Sequence, residues 1–146
     1  MPDYKSSAWG YEPAFATEPS QAVLFTVPGE PMSKQRPRFS PKSGHAYTPK
    51  QTRDAETDVR NAYVAASGGK MFTSHIGVEI QFFMGTKRRK DVDNLVKTVL
   101  DALNKVAFDD DYLVHVLGAV KFYSTPKLAR TVVRIYPIDG MMIETD

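Results

Sequence analysis

Two helical stripes and four strand-like alternations account for most of the apolar positions in this chain. Val92, Leu95, Val96, Val99, Leu100, Leu103 and Val106 recur every three or four residues, which places them on one side of a 3.6-residue helical repeat. Asp93 or Asn94 stands at the expected N-cap, where a side-chain oxygen accepts the unpaired N–H groups of the first turn. Lys97, Asp101 and Lys105 mark the polar side of this helix. A second helix is predicted from Pro49 to about Ala66, with Ala55, Val59, Ala62, Tyr63 and Ala66 inward and Lys50, Arg53 and Arg60 outward. Thr48 is its expected N-cap, Pro49 its first residue, and Ser67-Gly68-Gly69 its stop.

Strands carry a period of two. Gln21 to Val27 reads as a short apolar strand ended by Pro28-Gly29, and from 76 to 85 Ile76, Val78, Ile80 and Phe82 alternate with Gly77, Glu79 and Gln81. Residues 112–123 and 128–138 read as two further strands, joined by Ser124-Thr125-Pro126-Lys127 as a hairpin. In the first of these, Val114, Val116, Val120 and Phe122 alternate with Leu113, His115, Lys121 and Tyr123, and Gly118 is the expected bulge. The order β-α-β-α-β-β predicts one two-layer α/β (α+β) domain, a mixed four-stranded sheet with two main helices.

Outside that frame the pattern breaks. Residues 1–20 scatter Pro2, Gly10, Pro13 and Pro19 among Tyr4, Trp9, Tyr11 and Phe15 without a period, so a poorly ordered arm is expected before a folded unit over 21–138 and a frayed tail over 139–146. Between Glu30 and Pro49, Pro31, Pro37, Pro41 and Gly44 predict a loop without regular structure. Lys34, Arg36, Arg38 and Lys42 alternate there with Phe39, His45 and Tyr47. Basic side chains interleaved with flat rings suit gripping a nucleic-acid backbone and stacking on bases, and a solvated basic loop is the alternative.

Composition narrows the classes. At 146 residues the chain can bury a core as one domain, and the absence of cysteine excludes disulfides and thiolate-held zinc or iron–sulfur centres. No apolar run approaches the roughly 18 residues of a membrane span, and no basic-then-apolar leader opens the sequence, so a soluble cytoplasmic protein is expected. The net charge of +2 conceals a division: residues 31–90 hold twelve Lys/Arg against four Asp/Glu, while 91–120 hold two against six. The first segment fits a polyanion, the second a cation.

These segments meet at Lys87-Arg88-Arg89-Lys90, which runs directly into Asp91 and Asp93. A cationic run holds phosphates, and a carboxylate pair beside it holds a hard divalent cation. Lys97 lies one turn beyond Asp93, within reach of whatever the carboxylates hold. After the helix come Asp109, Asp110 and Asp111, whose mutual repulsion is costly unless a cation or solvent relieves it. Asp110 or Asp111 completes a site with Asp91 and Asp93 if the two ends of the helix fold back toward one sheet edge. Otherwise D-x-D-N is a helix start and the acidic triplet a solvated turn. Asp101 and Lys105 are expected in helix-surface ion pairs, lone His45 as a surface residue, and His115 as a strand residue, with a ligand role left open by its closeness to Asp111.

The run RRKDVDNLVKTVLDALNKVAFDDD resembles the RusA family of Holliday-junction resolvases, whose core reads as several Arg/Lys, then D-x-D-N-L-x-K, then D-A-L-N and a D-D pair. The agreement covers roughly thirty consecutive residues with their spacing, departing where three aspartates follow Phe108 directly, and Val27–Pro49 is similar to phage-borne members. The resemblance implies a Mg²⁺-dependent endodeoxyribonuclease, with Mn²⁺ as a substitute, that acts as a homodimer on four-way DNA junctions and nicks two strands symmetrically. It places metal-binding aspartates at Asp91, Asp93 and Asp111, with Asp110 as the alternative third ligand because three aspartates follow Phe108 directly, and an active-site lysine at Lys97. Expected DNA contacts are Lys34, Arg36, Arg38, Lys42, Lys50, Arg53, Lys87, Arg88, Arg89 and Lys90. A nuclease for flaps or replication forks, or a non-catalytic branched-DNA-binding protein, is the alternative.

Overall fold

The computed structural model describes residues 21–138, so the arm expected at 1–20 and the tail at 139–146 lie outside the described residues. Six strands and two helices follow in the order β1 (Val23–Pro28), β2 (Arg38–Phe39), β3 (Ala46–Tyr47), α1 (Lys50–Ser67), β4 (Ile76–Met84), α2 (Val92–Leu103), β5 (Val114–Tyr123) and β6 (Arg130–Pro137). The main sheet has the order β1-β6-β4-β5, with β5 parallel to β4 and the other pairs antiparallel. This is the predicted mixed four-stranded sheet with two helices. No helix among the described residues is long and apolar enough to cross a membrane.

Strand β4 occupies the middle because both of its sides are apolar or paired. Ile76, Val78, Ile80, Phe82 and Met84 face the helices, and Gly77, Glu79 and Gln81 on the other side are buried as well. Tyr136 covers Gly77, and Arg134 reaches Glu79 at 3.5 Å. Burial raises the Glu79 carboxyl above its ordinary range, and the arginine opposes that shift. Beyond this pair, Arg130 lies 3.8 Å over the Phe83 ring, which stacks on Phe122 at 5.0 Å.

The expected hairpin between the last two strands does not form. Strand β5, delivered by α2 as a parallel crossover, takes the edge, while β6 is buried at Val132, Val133, Ile135 and Tyr136 and therefore sits between β1 and β4. The link from Ser124 to Ala129 crosses the end of β4 instead, with the Ser124 N–H donating to the Met84 carbonyl at 2.7 Å and a 3-10 turn over Pro126–Leu128. The bulge is also displaced. Register slips between Ile76 and Gly77, which face Val114 and Val116, so His115 is the extra residue and Gly118 pairs regularly with Glu79. The His115 ring lies 3.9 Å from that of His75.

The helices pack side by side on one face of the sheet. In α1 the buried positions are Thr52, Val59 and Tyr63; Ala66, expected inward, is exposed on the last turn. Pro49 is the N-cap rather than the first helical residue, and Thr48 does not cap. Gly68, at φ 67°, ends the helix by donating to the Val64 carbonyl, a left-handed conformation that glycine adopts without a Cβ clash. Helix α2 starts earlier than predicted, with Asp91 at the N-cap and Asp93 inside the first turn. Its buried side is Leu95, Val96, Val99, Ala102 and Leu103; Val92 is exposed, and Val106 lies past the helix end. Phe25 meets Tyr63 edge-on at 5.6 Å, tying β1 to α1.

The segment 30–49 is not wholly irregular, since β2 and β3 form a two-residue antiparallel pair. Its prolines lie outside the paired positions, Pro37 before β2 and Pro41 in the tip, where a missing N–H breaks no ladder.

A methyl group on Gly77 would fall 2.2 Å from the Tyr136 Cζ, so Gly77→Ala forces the ring and strand apart. Equilibrium denaturation should show a loss of about 1–3 kcal/mol; an unchanged midpoint would mean the ring is free to leave.

Candidate active site

The approach to the site is built at the C-terminal end of β4, under the crossover. A Cβ at Gly85 would meet Glu30 Oε2 at 2.8 Å and the Pro126 Cα at 2.9 Å, so the chain turns here only because residue 85 has no side chain. The Gly85 N–H donates to Glu30 Oε2 at 2.8 Å, and the other oxygen of that carboxylate lies 3.5 Å from the Lys90 ammonium. Lys90 also donates to the Pro31 carbonyl at 2.7 Å, and Lys121 Nζ donates to the Lys90 carbonyl at 2.8 Å. The peptide that leads into Asp91 is thereby gripped from β5 and from the loop after β1.

At the start of α2 the Asp91 and Asp93 carboxylates are exposed. The Asp91 carbonyl accepts the Leu95 N–H at 3.2 Å, and Asp93 Oδ1 accepts the Asn94 N–H at 3.0 Å. The partial positive charge of the helix N-terminus favours both anions there. Lys97 is exposed one turn along and makes no ion pair among the described residues. Its ammonium is available to a ligand.

The acidic triplet stands elsewhere. Asp109 pairs with Lys105 at 3.5 Å, and Asp110 Oδ1 accepts the Asp111 N–H at 2.7 Å to open the 3-10 turn Asp111–Leu113. Burial raises the Asp111 carboxyl, and the charges of Asp101 and then Asp110 push it further in the same direction. Asp111 therefore feels the charge of Asp101, on the third turn of α2. Asp93, Lys97 and Asp101 follow one another at intervals of four along that helix, so Asp101 stands about 12 Å along its axis from Asp93. Asp91 follows the C-terminal end of β4, whereas Asp111 precedes β5, whose start pairs with the N-terminal end of β4 through Ile76 and Val114. Among the described residues no three carboxylate or imidazole side chains are drawn together as a metal cage. The donor chemistry of Asp91, Asp93 and Asp111, all oxygen and all anionic, fits a hard divalent cation, but the three are not gathered.

The basic residues divide into internal and free. Lys34 lies between Glu56 of α1 at 2.5 Å and Asp101 of α2 at 3.1 Å. Burial works against its ammonium, but the two carboxylates outweigh it and hold the lysine above its ordinary pKa. Asp101 is therefore in an ion pair as expected, with a loop lysine as its partner. Lys90 is a second internal cation, its side chain 15% exposed. Lys50 pairs with Asp54 on the surface at 2.7 Å. Arg36, Arg38, Lys42, Arg53, Lys87, Arg88 and Arg89 are exposed.

Glu30, Glu56 and Lys121 carry positions that sequence reasoning did not single out. Lys121 alone left a signal, a charge in the alternation of a half-buried strand.

A family model described as endodeoxyribonuclease RusA matches residues 28–136 of this chain. Among curated proteins, an uncharacterized protein, YqaN of Bacillus subtilis (strain 168), is 29% identical over 139 residues, covering 77% of this chain and 95% of its own length.

A carboxyl with a raised pKa holds its proton more tightly folded than unfolded, so its contribution to stability is full below the ordinary aspartate range and is lost as pH rises through the folded value. Asp111→Asn keeps the uncharged form at every pH. In chelator-treated protein it should melt modestly higher than the wild type near neutral pH, with the gap closing as pH falls below about 4. Thermal melts across that range check it; equal melting points at neutral pH would mean that solvent screens the repulsion from Asp101 and Asp110.

Proposed function

This chain belongs to the RusA family of endodeoxyribonucleases, and on that premise we propose that it cuts DNA at four-way junctions in a Mg²⁺-dependent reaction, as a homodimer that places paired symmetric nicks. The observation that supports this most directly is the juxtaposition at the start of α2: two exposed carboxylates on a helix N-terminus, an unpaired lysine one turn along, and three exposed basic residues immediately before them. Asp91 and Asp93 are the residues that would hold the metal, with Asp111, or Asp110 in its place, as the third carboxylate. When bound, Mg²⁺ or its substitute Mn²⁺ supplies a more acidic water and a charge that meets the one developing on the phosphoryl oxygens.

The remaining work belongs to the chain. Lys97 brings a compact positive charge to the scissile phosphate from a rigid helix, and Lys87, Arg88 and Arg89 hold the strand on the approach. Arg36, Arg38, Lys42, Lys50 and Arg53 extend the cationic surface along the loop and the start of α1, where free N–H groups add to it. Lys34 and Lys90 serve this surface from inside, by fixing the loops that carry it. Two copies related by a two-fold axis match the symmetry of a four-way junction.

The separation of Asp111 from Asp91 and Asp93 favours a second reading, recognition of branched DNA without cutting. Cleavage of a labelled synthetic junction with and without Mg²⁺, against linear duplex, flap and fork controls, separates the two. The wild type should nick the junction in symmetric pairs only with metal, and Asp93→Asn should bind the junction but cut about a thousandfold more slowly, the loss of several kcal/mol of charge stabilisation. Junction binding with no cutting in either Mg²⁺ or Mn²⁺ would establish the second reading, and a preference for flaps would reassign the substrate.

A further inference from the structure

The β2–β3 hairpin carries large rings that the fold does not use. Phe39 is 67% exposed and Tyr47 47% exposed. The register pairs Arg38 with Tyr47 and Phe39 with Ala46, and paired residues share a face while successive ones alternate. The two rings therefore lie on opposite faces of the hairpin. Around them Arg36, Arg38 and Lys42 are exposed, and none makes an ion pair among the described residues. Apolar rings on so cationic a projection have no core to join.

The base of the hairpin is held firmly. The Lys34 N–H donates to the Asn94 carbonyl at 3.1 Å, directly beside Asp93. The Gln35 N–H donates to Thr52 Oγ1 at 3.3 Å, and its side-chain amide donates to Gln51 Oε1 at 2.9 Å. At the tip, the Ser40 N–H donates to the His45 carbonyl at 3.0 Å and Gly44, at φ 70°, donates to the Ser40 carbonyl. Phe39 is five positions along the chain from Lys34, so its Cα stands at most about 18 Å from the anchor next to the carboxylate pair.

We infer that this hairpin is a two-sided wedge for the branch point of the DNA, with Phe39 stacking on one unstacked base pair and Tyr47 on the other. In a continuous duplex each base pair is covered by its neighbours, and an inserted ring must first pay the cost of separating them. At a branch point the stack is interrupted and its faces are uncovered at less cost, so a projecting ring gains more from stacking there than on linear duplex. The exposed arginines and Lys42 hold the flanking phosphates, and the anchor at Asn94 relates the branch point to Asp91 and Asp93. This rests on the proposed junction substrate but not on cleavage.

Affinities for a four-way junction and for linear duplex of the same length, measured in chelator so that nothing is cut, test it. Phe39→Ala and Tyr47→Ala should each weaken junction binding roughly tenfold and leave duplex binding unchanged. Phe39→Trp should retain the preference, and Phe39→Leu, apolar but not flat, should lose it. Arg38→Ala should weaken both substrates together. An unchanged junction-to-duplex ratio in the alanine variants, a leucine variant equal to the wild type, or a wild type without junction preference would overturn the wedge. Failure of metal-dependent cutting alone would overturn only the nuclease reading, because these affinities are read without metal.

Discussion

Burial of β4 on both faces is the constraint from which the rest of the architecture follows. A strand with no side for solvent needs a neighbour on each flank, and here those neighbours are the edge strand β5 and the buried strand β6. Since β6 follows β5 in the chain, the link between them must pass over the end of β4. That passage lays Pro126 and Ala129 against Gly85, which confines the segment carrying the basic run and aims it at α2. Sheet topology thus sets where the Asp91 and Asp93 pair stands.

Charge then divides the work between scaffold and surface. Lys34, Lys90 and Lys121 each use a flexible stem and a compact ammonium with three rotatable donors to reach carboxylates or carbonyls across elements. Most of the arginines and remaining lysines of the basic segments point outward. The internal three hold the loops, and the external set is left exposed in the segments before and after α1.

Much of this was legible in the chain. The helical stripes, the strand alternations and the mixed sheet follow from periodicities of 3.6 and 2, and the order of elements is the predicted one. What was not legible is long-range. Nothing in the local pattern of residues 112–138 distinguishes a hairpin from two strands that flank a third; that depends on β6 burying both Val133 and Tyr136, which only the assembled sheet decides. His115 rather than Gly118 became the bulge because register is set by pairing with β4. In the site, the Asp91, Asp93 and Lys97 spacing is local and was read directly, whereas Lys34, equally basic and equally loop-borne beside Arg36, could be told from a free cation only by its distances to Glu56 and Asp101.

The Lys34 contact has a further consequence for the behaviour of the protein in salt. Its side chain is 20% exposed and its ammonium bridges two carboxylates within 3.1 Å, a range over which mobile ions screen poorly. Contacts between exposed arginines and a phosphate backbone behave oppositely, since each displaces a condensed counterion that high ionic strength restores. The Lys34 bridge therefore persists at ionic strengths that would release a polyanion from exposed arginines, and electrolyte alone would separate the two kinds of ionic contact.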